Sequence, residues 1–233
     1  MKNFIKNITD SISHLLFPHN CIGCNTDIIN DNALLCAKCA YQMPSTKYFS
    51  APDNPVDKIF FGRVKVENAA AGFYYTKESL VQHLMVQLKY KGNKEVGFYL
   101  GCLIGYEIQK TTRFNDVEAL IPLPLNAKRQ FKRGYNQAME ICKGIESVWQ
   151  KPIINDAVIR TVNNSTQTHE NRINRWLNVD GIFMVTNPAA IAGKHILLVD
   201  DVVTTGATLE SCGSVILKAP NTKLSIACVA TVS

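Results

Sequence analysis

Two kinds of apolar pattern alternate along the chain: short continuous runs, and single positions at helical spacing. The short uncharged runs AAAGFYYT (residues 69–76), EALIPLPL (118–125) and Ile196–Val199 are typical of strands buried in a sheet. Between the first two runs, residues 80–88 carry apolar side chains at helical spacing, and Gly92 follows as a stop signal. Because strands alternate with helices, we predict an α/β fold with a parallel sheet flanked by helices.

The chain has 233 residues, which is enough for one ordinary domain and a small appendage. A hydrophobic content of 46% with 19% charged residues favours a folded, soluble protein over a disordered one. We predict an N-terminal segment over residues 1–50, a linker over 51–66 and a main domain over 67–233. The linker prediction rests on three prolines between residues 44 and 55 in a stretch with little periodicity.

No segment predicts export or a membrane crossing. Residues 1–20 lack a continuous apolar core and a cleavage site, and their apolar positions instead predict an amphipathic helix. The longest apolar run, Val96–Tyr106, is shorter than the ~20 residues that a bilayer crossing needs. Its glycines at every fourth position, Gly97, Gly101 and Gly105, favour close helix packing. We expect a cytoplasmic chain without an integral membrane segment.

Four of the eight cysteines share a metal-binding spacing. Cys21 and Cys24 form one Cys-x-x-Cys pair, and Cys36 and Cys39 form a second after eleven intervening residues. Thiolates at this spacing can surround Zn²⁺ tetrahedrally, and four sulfur ligands leave no open position for catalysis. We therefore predict a small N-terminal four-cysteine module with structural Zn²⁺, while two disulfides or a redox pair stay as alternatives.

The stretch ILLVDDVVTTGATLES, residues 196–211, combines a buried strand with two acids and a turn. Asp200 and Asp201 lie at the carboxyl end of the strand, where open α/β sheets bind ligands. A loop with hydroxyls, a glycine and the start of a helix follows, and helix N-termini favour phosphate. The loop comprises Val203, Thr204, Thr205, Gly206, Ala207 and Thr208. Because carboxylates suit sugar hydroxyls or Mg²⁺ beside a polyphosphate, the motif predicts a sugar phosphate ligand.

This stretch closely resembles the signature that binds 5-phosphoribosyl 1-pyrophosphate (PRPP) in type I phosphoribosyltransferases. The resemblance implies a type I phosphoribosyltransferase-like sheet. It also implies that Asp200 and Asp201 form the catalytic pair on the ribose hydroxyls and that the loop holds the 5′-phosphate. Mg²⁺ is expected with PRPP.

Cations and aromatic rings are interleaved in NAKRQFKRGYNQ, residues 126–137. Lys128, Arg129 and Arg133 fit pyrophosphate, which a loop after the corresponding strand holds in phosphoribosyltransferases. The same cations fit single-stranded DNA, with bases stacked on Phe131 or Tyr135. A solvated basic helix is the third interpretation. The sequence leaves all three open, and the first two are compatible with each other.

Residues 163–183 are polar and lie where type I enzymes carry a mobile lid. The resemblance implies that Gln167, Arg172 and Arg175 fold over the ligand and exclude water. His169, in the same stretch, is more simply an exposed side chain than a base.

Four segments together resemble the ComF family. They are LLFPHNCIGC with CAKC, IPLPLNAKRQFKRGYNQA, TQTHENRINR and LLVDDVVTTGATLES, in the family's order along the chain. Ile121 and Tyr135 stand where the family commonly has Val and Phe. The resemblance implies a zinc-bearing segment on a phosphoribosyltransferase-type domain. It further implies a role in natural transformation, beside a helicase or recombination protein, during uptake of single-stranded DNA.

Two functions follow from these features. The first is a competence factor that binds single-stranded DNA or a helicase partner and retains a site for PRPP or another ribose 5-phosphate. The second is an active phosphoribosyltransferase with an unidentified acceptor, in which Arg129, Arg133 and Arg172 stabilise the departing pyrophosphate. The net charge of +6 and the pI near 8.8 favour an anionic partner in either case but do not identify one.

Overall fold

Four parallel strands form the main sheet in the spatial order β1, β6, β5, β2. The structure, a computed structural model, describes residues 19–27, 33–161 and 182–232. A second sheet pairs β3 with β4 in antiparallel register. The described strands are β1 (Ala69–Tyr75), β2 (Ala119–Pro122), β3 (Val158–Arg160), β4 (Phe183–Val185), β5 (His195–Val203) and β6 (Lys223–Val232).

Helices connect the parallel strands, as the alternating periodicity predicts. The described helices are α1 (Ala37–Tyr41), α2 (Pro55–Ile59), α3 (Leu80–Tyr90), α4 (Lys94–Gln109), α5 (Ala127–Arg133), α6 (Gln137–Trp149), α7 (Ala207–Ile216) and the 3₁₀ turn Pro188–Ala190. Ser79, Asn126 and Asn136 cap α3, α5 and α6 by accepting hydrogen bonds from backbone N–H groups. The amphipathic helix predicted within residues 1–18 lies outside the described residues.

Both faces of the main sheet are covered by helices. On one face, Ala69 and Ala71 of β1 belong to the same buried apolar cluster as Cys212 and Ile216 of α7. On the other face, a Cβ atom added to Gly72 would lie 2.4 Å from Cδ1 of Ile104, which shows that α4 packs directly on β1. The predicted parallel α/β sheet flanked by helices is confirmed.

Two compact units divide the chain, at residues 1–43 and 44–233. The structure differs from the predicted linker over residues 51–66, because this stretch contributes to the core of the larger unit. Pro55 begins α2, Asn54 caps it, and Phe60 is fully buried against the apolar cluster. The prolines that suggested a linker include one at the first helical position, where proline is favoured.

The helices α4 and α6 meet at glycines. A Cβ atom added to Gly101 would lie 2.1 Å from the carbonyl oxygen of Ile141, and one added to Gly144 would lie 2.0 Å from that of Phe98. The two backbones therefore touch without an intervening side chain, as the glycine spacing in α4 predicts. This pair of helices packs on the sheet, with α6 against β2 and β5.

Among the described residues, none of the helices combines the length and the apolar character that crossing a bilayer requires.

Candidate functional site

The acid pair lies near the carboxyl end of β5, where the strand leaves the core. Ile196–Val199 are at most 1% exposed, whereas Asp200 and Asp201 are less completely buried. Oδ1 of Asp201 lies 2.9 Å from Nζ of Lys89, at the end of α3, and both side chains are mostly covered. The central strand thus delivers two adjacent carboxylates to the edge of the sheet, and α3 supplies a cation to one of them.

The two carboxylates have different electrostatic environments. Burial, together with the neighbouring charge of Asp201, raises the pKa of Asp200 to about 8. The backbone N–H of Asp201 donates a hydrogen bond to Oδ1 of Asp200 at 2.8 Å. Asp200 therefore holds a proton near neutral pH and can donate as well as accept a hydrogen bond, while Asp201 forms the ion pair.

The predicted phosphate loop follows directly. Thr204 and Thr205 are exposed, and Gly206 adopts the left-handed conformation (φ 72°) as the residue before α7. No side chain caps this helix, and the first N–H groups of an α-helix have no partner within the helix. A Cβ atom at Gly206 would lie 2.6 Å from Cγ2 of Ile59, so both the conformation and the close contact require glycine.

Arg63 contacts this loop from the segment that precedes β1. One guanidinium nitrogen donates to the carbonyl oxygen of Thr205 at 2.7 Å, and the other pairs with the carboxylate of Glu210 in α7. Sequence reasoning did not identify Arg63, since 142 residues separate it from Thr205.

A basic cleft of about 620 Å³ lies between the end of α3 and helix α5. Its lining residues are Lys89, Tyr90, Lys91, Gly92, Arg129, Lys132 and Arg133. The structure thus brings two of the three predicted cations, Arg129 and Arg133, into one cleft with cations from α3. Lys128 is on the same helix but does not line the cleft. Lys89 belongs both to this cleft and to the ion pair with Asp201, so the basic cleft adjoins the acid pair.

Aromatic rings are exposed at the basic cleft. The Tyr90 side chain is 71% exposed, and the Arg133 guanidinium lies 5.5 Å from its ring centroid. Phe131, also on α5, is 92% exposed. Tyr135, by contrast, is buried and donates its hydroxyl to the carbonyl oxygen of Leu88, so it is not available for stacking. The basic cleft therefore offers charge with one lining aromatic ring, and a second ring is exposed on α5.

A second cleft, of about 460 Å³, lies at the carboxyl end of β2. Apolar side chains that include Pro122, Leu125 and Met139 line it together with polar groups of Asn155 and Arg160. The positive charge of Arg160 acts to lower the pKa of Asp200, although burial and the charge of Asp201 raise it by more. Arg160 therefore links this cleft electrostatically to the acid pair.

The four cysteines predicted as metal ligands converge in the N-terminal unit. The ligand atoms of Cys21, Cys24, Cys36 and Cys39 all lie within 4.8 Å of one another, and the sulfurs of Cys24 and Cys36 are 3.7 Å apart. A tetrahedron with Zn–S bonds of about 2.3 Å places its sulfurs about 3.8 Å apart. The arrangement therefore fits a Zn²⁺ ion, and the site can bind zinc.

The thiols of this cluster do not titrate alike. Hydrogen bonds with Thr26 lower the pKa of Cys24 to about 6, whereas burial and the neighbouring thiols raise the pKa of Cys39 to about 12. Several thiolates this close together repel one another, and a divalent cation relieves that repulsion. His19, outside the cluster, has its Nε2 atom 2.8 Å from the carbonyl oxygen of Ala33 instead.

Some predicted site residues cannot be placed. Gln167, Arg172 and Arg175, the predicted lid, lie outside the described residues, as does His169. Lys89 and Lys91 were not identified as site residues from the sequence. The sequence does show two lysines on either side of Tyr90 at the end of an amphipathic helix. That these lysines lie close to the acid pair depends on the tertiary fold.

Comparison with known proteins finds one matching domain family and several relatives. The phosphoribosyl transferase domain family matches residues 153–233, which include β5, the acid pair and the phosphate loop. DNA utilization protein YhgH of Shigella flexneri is 30% identical over 138 residues, which cover 58% of this chain and 60% of that protein. Competence protein ComFC of Bacillus subtilis (strain 168) is 27% identical over 149 residues, covering 62% and 56%.

Competence protein F of Haemophilus influenzae is 31% identical over 113 residues, which cover 48% of this chain and 49% of that protein. The chain thus spans about half to three fifths of the length of these relatives. The order of the motifs, the parallel sheet and these relatives make the chain similar to competence proteins of the ComF family, and residues 153–233 match the phosphoribosyl transferase domain family.

Proposed function

We propose that the chain binds PRPP or another ribose 5-phosphate at the Asp200–Thr208 segment and acts in the cytoplasm as a competence factor in natural transformation. The proposal rests on the order of the structural features at the carboxyl end of β5. Two partly buried carboxylates precede the left-handed Gly206, which begins a helix that no side chain caps. This arrangement suits a ligand with vicinal hydroxyls at one end and a phosphate at the other.

Different residues of the site bind different parts of the ligand. Asp200 and Asp201 hydrogen-bond the ribose hydroxyls, and the protonated Asp200 can donate as well as accept. Thr204, Thr205 and the N–H groups at the start of α7 hold the 5′-phosphate. Lys89 orients the Asp201 side chain through their ion pair.

Asp201, and Asp200 once it loses its proton, would hold Mg²⁺ beside the ligand, because carboxylate oxygens are the donors that this ion prefers in proteins. The ion would supply positive charge that offsets the charge of the pyrophosphate. Lys89, Arg129 and Arg133 then provide the protein's own positive charge on the same side of the site.

The basic cleft supports binding of single-stranded DNA, as the competence role requires. Its cations can hold successive phosphates, and the exposed Tyr90 ring, with Phe131 on the same helix as Arg129, can stack on bases. A helicase or recombination protein is the partner expected in this pathway, and the four-cysteine module is a candidate docking element. Pyrophosphate and the DNA backbone both present negatively charged phosphate oxygens, so the cations of one cleft can bind either.

Transfer of the ribosyl group is the second candidate function. The cleft at the end of β2 favours it, since an apolar wall with a few polar groups suits an acceptor molecule beside the ribose. The acceptor attacks the ribose C1 carbon while the bond from C1 to pyrophosphate breaks. In that reaction Arg129 and Arg133 stabilise the charge of the leaving group.

The four-cysteine cluster holds Zn²⁺ in a structural role under this proposal. All four ligands are sulfur atoms from the chain, so the coordination shell is closed to substrate. The segment between residues 19 and 43 has only one short helix among its described residues. Metal binding therefore supplies stability that a core of this size does not.

The acid pair should be essential for ligand binding. Asp200→Ala with Asp201→Ala is expected to weaken Mg²⁺–PRPP binding at least about tenfold, because the hydrogen bonds to the ribose hydroxyls are lost. Isothermal titration calorimetry measures the affinity, and Glu95→Ala with Glu107→Ala, which replaces two acids on α4, is the control. Unchanged affinity in a folded double variant of the acid pair would refute the ribose assignment.

Asp200 should lower the stability of the fold as the pH rises. Its pKa is raised from 3.8 to about 8 by folding, so the folded protein binds the proton more tightly than the unfolded chain does. The free energy of unfolding therefore falls as the pH rises from about 4 to about 8. Asp200→Asn keeps an acceptor oxygen for the Asp201 N–H and removes this cost. The melting temperature of this variant should exceed that of the wild type by more at pH 8 than at pH 5.

Glu95→Gln, at an exposed acid on α4, is the control for that experiment. This side chain lies outside the acid pair, so its substitution should give no pH-dependent gain in melting temperature. A pH-independent difference between Asp200→Asn and the wild type would contradict the raised pKa.

The basic cleft should determine how DNA binding depends on salt. Arg129→Ala with Arg133→Ala is expected to reduce the slope of log K against log salt concentration for single-stranded DNA by about 1.4, since two phosphate contacts are lost. Fluorescence anisotropy with a labelled oligonucleotide at several salt concentrations measures the slope. Lys110→Ala with Lys143→Ala removes two charges outside the cleft and should leave the slope unchanged. Equal slopes in all three proteins would exclude the cleft as the DNA site.

Zinc should be bound by the four-cysteine cluster and should stabilise the N-terminal unit. Cys36→Ser is expected to lower both the zinc content and the protease resistance of this unit, because one of four ligands is lost. Elemental analysis measures the metal, and limited proteolysis reports on the unit. Cys102→Ser, at a partly exposed cysteine outside the cluster, should retain both. Full zinc content in Cys36→Ser would argue against this ligand set.

A further inference from the structure

We propose that Arg63 is a positioning residue for the phosphate loop, which it orients from the face opposite the ligand. The inference rests on the proposed phosphoribosyl site and adds to it a residue outside the matched domain family, which begins at residue 153. Arg63 lies before β1, in the stretch where the sequence suggested a linker.

The contacts of Arg63 converge on the loop and on the helix that follows it. Nη1 donates to the carbonyl oxygen of Thr205 at 2.7 Å and to that of Ile59 at 3.1 Å, and Nη2 pairs with the carboxylate of Glu210. The guanidinium group therefore joins three points of the chain in one planar arrangement. A lysine cannot reproduce this arrangement, because its ammonium group is a single point of charge.

The bond to Thr205 fixes the direction of the next N–H group. The peptide bonds of the described chain are trans, and in a trans peptide the carbonyl oxygen and the following N–H point in opposite directions. When Arg63 holds the oxygen of Thr205, the N–H of Gly206 points away from Arg63. The left-handed φ of 72° at Gly206 then leads into the first turn of α7, so that successive N–H groups can converge on one anion.

The pair with Glu210 removes an electrostatic conflict. Glu210 lies in the first turn of α7, the same end of the helix that would bind the phosphate. An unpaired carboxylate at that position favours the helix itself but repels a phosphate close by. The positive charge of Arg63 balances Glu210, so the helix can carry this acid without losing affinity for an anion.

Arg63 is itself attached to the rigid part of the fold. The helix α2 precedes it, and the Nδ2 group of Asn54, its capping residue, donates to the carbonyl oxygen of Ala69 in β1 at 3.0 Å. Asp57 of α2 forms an ion pair with Arg113 at 2.7 Å, and both side chains are mostly covered. The segment that carries Arg63 is therefore bound to the sheet, and the loop is held between this segment and α7.

Two single variants and their combination separate orientation from charge. Arg63→Met loses both the Thr205 bond and the partner of Glu210, Glu210→Gln loses only the acid, and the double variant restores the charge balance without the bond. Calorimetric titration with Mg²⁺–PRPP should show affinity about 10- to 100-fold weaker for Arg63→Met, which is the usual effect of a lost charged hydrogen bond. Glu210→Gln should bind at least as tightly as the wild type, and the double variant should stay at least about tenfold weaker. Wild-type affinity in Arg63→Met or in the double variant would overturn the positioning role.

A ligand-free measurement keeps this inference distinct from the proposed function. If the wild type does not bind PRPP, the proposed function fails, and the role of Arg63 is decided by amide hydrogen exchange. The N–H of Glu210 donates to the carbonyl oxygen of Gly206 at 2.8 Å and reports on the first turn of α7. Its exchange should be faster in Arg63→Met than in the wild type, with Arg63→Lys intermediate and the melting temperature unchanged. Equal exchange, or faster exchange throughout the chain with a lower melting temperature, would leave Arg63 without a positioning role.

Discussion

The burial of β5 on both faces and along both edges is the constraint on which the candidate site depends. Its apolar residues are almost completely covered, and it pairs with β2 on one side and β6 on the other. A strand held in this way cannot shift its register without moving apolar side chains into water. Asp200 and Asp201 therefore leave the core at a fixed point, and the loop that follows inherits that position.

Charge of both signs is concentrated at this edge of the sheet. Asp200 is kept largely protonated by burial, Asp201 is paired with Lys89, and further cations line the adjoining basic cleft. Burial of a carboxyl group without a cation of its own costs stability, and such groups are concentrated at functional sites. The same edge carries Gly206 in a conformation that most residues avoid. These features are individually unfavourable for folding, and they occur together where a ligand would bind.

The sequence was informative wherever the signal was local. The β5 strand, the acid pair, the turn at Gly206 and the spacing of the four cysteines all lie within short windows, and periodicity or spacing identified them. Lys89 and Arg63 could not be predicted in this way, because each meets its partner only after distant parts of the chain fold together. Their residue types are common on protein surfaces, so nothing in their immediate neighbours distinguishes them.

The stretch 51–66 shows a related difficulty. Its prolines and weak periodicity are typical of a linker, yet Pro55 begins a capped helix and Phe60 packs into the core. A helix of five residues is too short to show a helical repeat. Tyr135 illustrates a further limit, since the sequence could not show that its ring is buried rather than available to a base.

The backbone contact between α4 and α6 has a consequence for tracing distant relatives. Any side chain at Gly101 or Gly144 would push the two helices apart, and with them the surface that supports β2 and β5. A chain that keeps this helix spacing must keep the smallest residue at both positions, even after its surface and loops have diverged. Glycines at both positions, together with the acid pair, are therefore a structural fingerprint that can be searched for when overall similarity has fallen too low to align.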